Sequence, residues 1–108
     1  MASFDDREKG YEAKFAHDAQ LRFKAEARRN RLLGLWAAEK LGITDETEAK
    51  NYATEVVSAD FEEAGDEDVF RKVSGDFAAK NIGVGEQEIR AKMAELTAVA
   101  QHQVLKES

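Results

Sequence analysis

Cysteine and proline are both absent from this 108-residue chain, and histidine occurs only twice. No apolar run approaches the roughly 18 residues that a membrane span needs. Without cysteine there is no disulfide framework, no thiolate nucleophile and no cysteine metal site, which fits a reducing compartment. The Met1 end, with Asp5, Asp6, Arg7 and Glu8, lacks the apolar stretch of a signal peptide, so a soluble, cytoplasmic protein is expected. Eighteen of the hydrophobic residues are alanine, and alanine richness without proline favours closely packed helices. A chain of this length makes one domain, burying roughly 60–70% of its unfolded surface.

Charge is unevenly spread. Leu21 to Arg31 carries Arg22, Lys24, Arg28, Arg29 and Arg31 against Glu26, whereas Thr44 to Asp76 has a net charge of −8. The simplest account is an internal match between basic first helix and acidic later helices. The overall −6 argues against phosphate backbones as the main partner.

The pattern predicts an all-α fold, a four-helix bundle-like domain with a long first helix and a mobile N-terminal arm. The first helix is expected over about Phe4 to Leu41, with Leu21, Ala25, Leu32, Leu35 and Trp36 inward and Gly42 at its C-terminal turn. Gly10 and Gly34 weaken it, each by about 1 kcal/mol relative to alanine. The second is expected from an N-cap at Thr44, through Tyr52, Val56 and Phe61, to Gly65. Asp66 caps a short third helix reaching about Lys80, weakened by Gly75. Val84 before a Gly85 cap and Ile89 in the following turn form a hydrophobic staple that opens the fourth, which frays near Lys106. Connections this short make neighbouring helices antiparallel.

The first half of the leading segment holds too few large apolar side chains for a core. Phe4, Tyr11 and Phe15, at spacings of seven and four, place three rings on one face of a helix otherwise coated with charge. Such a sparse stripe suits docking. Residues 1–20 are therefore expected to be an arm, frayed when free, and residues 21–108 a globular anchor.

Catalysis finds little support. His17 and His102 are isolated, the acidic runs read as capping and solubility, and Gly83-Val84-Gly85 lacks the length and the following Lys-Ser or Lys-Thr of a phosphate loop. No metal and no cofactor is expected. The basic stretch from Arg22 to Arg31 leaves open a second reading, a small helical interaction module binding another protein or nucleic acid.

One long stretch, FDDREKxxEAKFAHDxxLxFKAEARRNRLLGLWAAEKLG, with Tyr52 to Val57, Ala59 to Glu63, Gly65 to Val69, Ile89-Arg90 and Lys92-Met93, resembles the zeta-subunit family. These are the ATPase inhibitors of α-proteobacterial F-type ATP synthases. Gly10 with Tyr11, Gly75 and Gly85 depart from the family pattern. The resemblance implies a non-enzymatic, four-helix inhibitor of ATP hydrolysis whose N-terminus is the inhibitory region. Its implied partners are the α, β and γ subunits of the catalytic head, with no nucleic acid and no direct membrane insertion. It implies a monomer when free and a place in the cytoplasm, peripheral to the inner membrane through the synthase. Under that reading Phe4, Tyr11 and Phe15 are apolar anchors, and Asp5, Asp6, Arg7, Glu8 and Lys14 orient the arm. His17 and Asp18 complete the partner-binding set.

Overall fold

In the computed structural model, which describes residues 18–60 and 66–107, four helices form where the alanine-rich periodic segments lie. They are α1 (Ala19–Lys40), α2 (Glu46–Ala59), α3 (Glu67–Ala79) and α4 (Glu86–Glu107). The architecture is all-α, as expected.

Each boundary has a local cause. Asp18 is extended at φ −123° and its carboxylate accepts hydrogen bonds from the backbone of Gln20 and Leu21, so α1 starts at Ala19. This corrects the expectation of one helix running unbroken from Phe4. Of the arm expected over residues 1–20, residues 1–17 lie outside the described residues. At the other end of α1, Gly42 sits at φ 82°, with Ile43 N–H bonded to Ala38 C=O (2.9 Å) and Gly42 N–H to Glu39 C=O (3.1 Å). That pattern is a Schellman closure. The same pair of bonds ends α3, where Asn81 takes the left-handed position at φ 58° and Ile82 N–H reaches Phe77 C=O at 2.8 Å. Asparagine tolerates this geometry because its short polar side chain lowers the steric penalty. The third break is thus closed by Asn81 and not by a glycine.

Two further boundaries move. Asp45, one residue beyond Thr44, caps α2 through Glu48 N–H. That helix ends at Ala59, short of the expected Gly65, and Phe61 to Gly65 lie outside the described residues. Val84 packs half-buried on the same cluster as the fully buried Ile89, as the staple requires.

Helix α1 is the spine. Gln103 and Glu107 meet its Arg28, Thr97 its Arg29 and Glu88 its Lys40, so α4 runs antiparallel to it. Helix α2 also runs antiparallel, and α1 crosses it at Gly34, where an added methyl would stand 2.6 Å from the Ala53 Cα. Gly34 is therefore a close-approach residue, and its cost in helix propensity secures backbone contact. The main core joins Leu33, Ala37, Val56, Val73, Phe77 and Ile89, with Trp36 edge-on to Phe77 at 5.8 Å. Inward positions on α1 thus include Leu33, Gly34 and Ala37, while Leu32, Leu35 and Trp36 are only half-buried. Helices of 14 and 13 residues span about 20 Å, against about 33 Å for the 22-residue α1 and α4. Beyond the short pair, the long ones meet through a second small cluster of Leu21, Ala25, Val104 and Leu105.

Candidate functional site

Of the expected partner-binding residues, Phe4, Asp5, Asp6, Arg7, Glu8, Tyr11, Lys14, Phe15 and His17 lie outside the described residues. Asp18 is described. Its Oδ1 accepts from Gln20 N at 3.1 Å and Leu21 N at 3.2 Å, so it fixes the point where the N-terminal segment joins the helical domain. Close to the junction an open groove of about 420 Å³ runs along Asp18, Leu21, Phe23 and Lys24. Phe23 is 61% exposed beside it.

The basic stretch divides into two roles. Arg29 falls in the four-residue repeat of Leu21, Ala25, Leu33 and Ala37, which carries it inward until only 4% of it is exposed. Its guanidinium donates from Nε to Asn30 Oδ1 (2.7 Å), from Nη1 to Thr97 Oγ1 (3.5 Å) and from Nη2 to Asp66 Oδ1 (2.9 Å). One side chain thereby ties α1 to α4 and to the start of α3. Asp66 occupies the N-cap position of α3, but its side chain makes no capping bond. A charge-assisted bond to a buried guanidinium outweighs a neutral N–H, which corrects the expected capping role.

Around Arg29 the carboxylates crowd. Burial raises the Asp60 carboxyl above its ordinary range, while the Asn30 amide and Arg29 pull it down and Asp66 and Asp68 push it up. Glu26 is raised by burial first and by Asp60 second. Asn30 is fully buried, and its Nδ2 completes no hydrogen bond of good geometry among the described residues. The Asn30 and Asp60 side chains are thus near enough to interact but looser than a formed bond. An acidic surplus around one cation matches the expected attraction between the basic helix and the acidic segment. It also removes Arg29 from any external surface.

Arg28 turns the other way, donating to Gln103 Oε1 (3.0 Å) and Glu107 Oε2 (2.8 Å) on α4. Arg22, Lys24 and Arg31 are exposed. Elsewhere Arg90 grips Glu67 through two bonds of 3.0 and 3.1 Å, stacks 4.1 Å over Phe70 and holds the Glu67 carboxyl below the usual range. Tyr52 donates to Asp76 Oδ2 at 2.7 Å, and burial followed by that bond raises its phenol far above the ordinary value. These contacts fasten helix to helix. Among the described residues no three His, Asp or Glu side chains converge as a metal set, and His102 lies exposed on α4.

The spacing of Arg29 with Leu21, Ala25, Leu33 and Ala37 was a legible signal for its burial, masked by the four other bases around it. Asn30 offered no such signal.

A family model described as ATPase inhibitor subunit zeta matches residues 1–103, the basic stretch, Asp18 and the N-terminal segment included. The chain belongs to the ATPase inhibitor subunit zeta family. This zeta-family chain is also similar to a solved solution NMR structure, with 57% sequence identity and a TM-score of 0.71 over 82% of this chain and 99% of that one. No curated protein matches. Zeta-family membership supports a role as ATP synthase inhibitor and implies binding to the synthase as a regulatory, non-catalytic subunit. No helix among the described residues is long and apolar enough to cross a membrane.

Proposed function

We propose that the chain inhibits ATP hydrolysis by the F-type ATP synthase by inserting residues 1–20 at a catalytic α/β interface, near the γ shaft. Residues 21–108 then serve as the anchor domain. The observation that carries this reading is a family match that includes the N-terminal segment. The Asp18 side chain itself caps α1 through the backbone of Gln20 and Leu21.

Eighteen helical residues extend about 27 Å, enough to fill a cleft between subunits. Wedged there, the arm stops the cleft from closing and so halts rotation in the hydrolytic direction. Phe4, Tyr11 and Phe15 supply apolar anchors, while Asp5, Asp6, Arg7, Glu8 and Lys14, with His17 and Asp18 at the base, set orientation through charge pairs. The α, β and γ subunits are the partners, and the protein sits in the cytoplasm at the inner membrane through them. Ordering the arm costs several kcal/mol of the gross contact energy, which makes inhibition tunable.

The test is Phe15→Ala. Inhibition of the purified catalytic head should weaken by about 2–4 kcal/mol in binding, with the thermal midpoint of the free protein unchanged. Parallel losses of stability and inhibition would place Phe15 in the folded core and contradict the arm mechanism.

A further inference from the structure

Lys24, Arg28 and Arg31 lie at i, i+4 and i+7 on α1 and so share one helix face. Together with Ala27 they form one wall of an open groove of about 310 Å³, and Thr54 and Val57 of α2 form the other. Arg28 is held in place by Gln103 and Glu107, so that part of the wall is preformed.

Most other cations of the described residues are matched. Arg29, Lys40, Lys50, Arg71, Lys72, Arg90 and Lys92 each have a carboxylate within 2.6 to 3.9 Å. The chain carries 22 acidic residues against 16 basic ones, so partners are abundant. Lys24 and Arg31 nevertheless have no ion pair within 4 Å among the described residues; Lys24 acts on Glu107 only at longer range, as the exposed Arg22 does on Glu26. Of the three groove cations, Arg28 and Lys24 share the single carboxylate of Glu107, and that excess of positive charge on one groove of a net-negative protein calls for an external anion.

We infer that this groove is a second docking surface, and that its occupant is an acidic protein segment on the catalytic head of the ATP synthase. The inference rests on the reading that the chain binds that head. Charge complementarity selects carboxylates, and the groove's neutral floor of Ala27, Thr54 and Val57 accepts small side chains. A single-stranded nucleic acid fits less well, because no aromatic ring lines the groove to stack bases.

The position adds to the argument. Lys24 is six residues along α1 from Asp18, about 9 Å of axial rise from the point where the arm departs. An arm seated in a cleft brings the groove to the mouth of that cleft, where an acidic segment completes a two-point attachment. The second contact raises overall affinity because it forms at high effective concentration.

The test compares the full chain, a Lys24→Glu/Arg31→Glu variant, and a Lys40→Glu/Lys80→Glu control with the same change in net charge. Affinity for the purified catalytic head is measured at low and at physiological salt. The groove variant should bind about tenfold more weakly or worse, with a flatter salt dependence, while the control stays near the parent. If the parent binds and inhibits and the groove variant matches it, the groove assignment alone fails. Equal weakening of groove variant and control would reduce the effect to net charge and also overturn it. Failure of the parent to bind the head at all would remove the functional reading and this one together. Tight binding of an RNA oligonucleotide by the parent at physiological salt, lost in the groove variant, would overturn the choice of a protein occupant.

Discussion

A methyl group at position 34 would stand 2.6 Å from the Ala53 Cα, so Gly34→Ala should lower stability by about 1–3 kcal/mol in denaturant unfolding, although alanine is the better helix former. A gain would show that α1 and α2 do not cross as closely as described. Arg29→Ala should cost about 2–4 kcal/mol, because it strips a buried hub of charge-assisted bonds to Asn30, Thr97 and Asp66. Arg31→Ala, exposed and unpaired, should change stability by no more than about 0.5 kcal/mol. Equal effects at the two positions would contradict the division of the basic stretch into one buried and several outward cations. The same centre sets a pH dependence. Asp60 and Glu26 bind protons more tightly folded than unfolded, so their contribution falls as pH rises from the ordinary carboxyl range to their raised folded values. Glu67 and Glu107, held low by Arg90 and Arg28, act in the opposite sense. Their contribution is present above the ordinary range and is lost as pH falls through the lowered values. Asp60→Asn should therefore remove a stability loss that grows as pH rises above the ordinary carboxyl range, read from thermal midpoints across the acid limb. A variant whose thermal midpoint follows pH as the parent's does would rule out an ionisation cost at Asp60.

At the scale of elements, Asp18 starts α1 with a single capping side chain. Asp18→Ala should destabilise the domain by about 1 kcal/mol in thermal unfolding, and a loss below about 0.3 kcal/mol would mean that the cap is dispensable. The helical periodicity of apolar residues revealed four helices, and Gly42 announced the end of α1, because glycine pays no steric cost at a left-handed turn. Boundaries were less legible where two polar residues competed for one job. Asp45 outdid Thr44 as a cap, Asp66 turned from capping to Arg29, and Asn81 took a left-handed position that no glycine marked. Each outcome is settled by tertiary partners that a linear reading does not display. Gly34 is the plainest case: within α1 alone it is a weak point, and only the crossing with α2 makes it necessary.

At the scale of the whole molecule, the family match takes in the segment of residues 1–17 together with the four helices described from Ala19 onward. The aromatic spacing of Phe4, Tyr11 and Phe15 made that segment conspicuous in the sequence, whereas the groove at Lys24 and Arg31 emerged only once α2 was set against α1. Gly10→Ala should strengthen inhibition by preforming the arm helix, and unchanged or weaker inhibition would count against fraying as a cost of binding. The most direct measurement is ATP hydrolysis by the catalytic head in the presence of the full chain or of the chain lacking Met1 to Gln20, with folding of both checked by circular dichroism. Inhibition by the full chain and none by the folded truncated one is the predicted result; full inhibition by the truncated chain would contradict the arm mechanism outright.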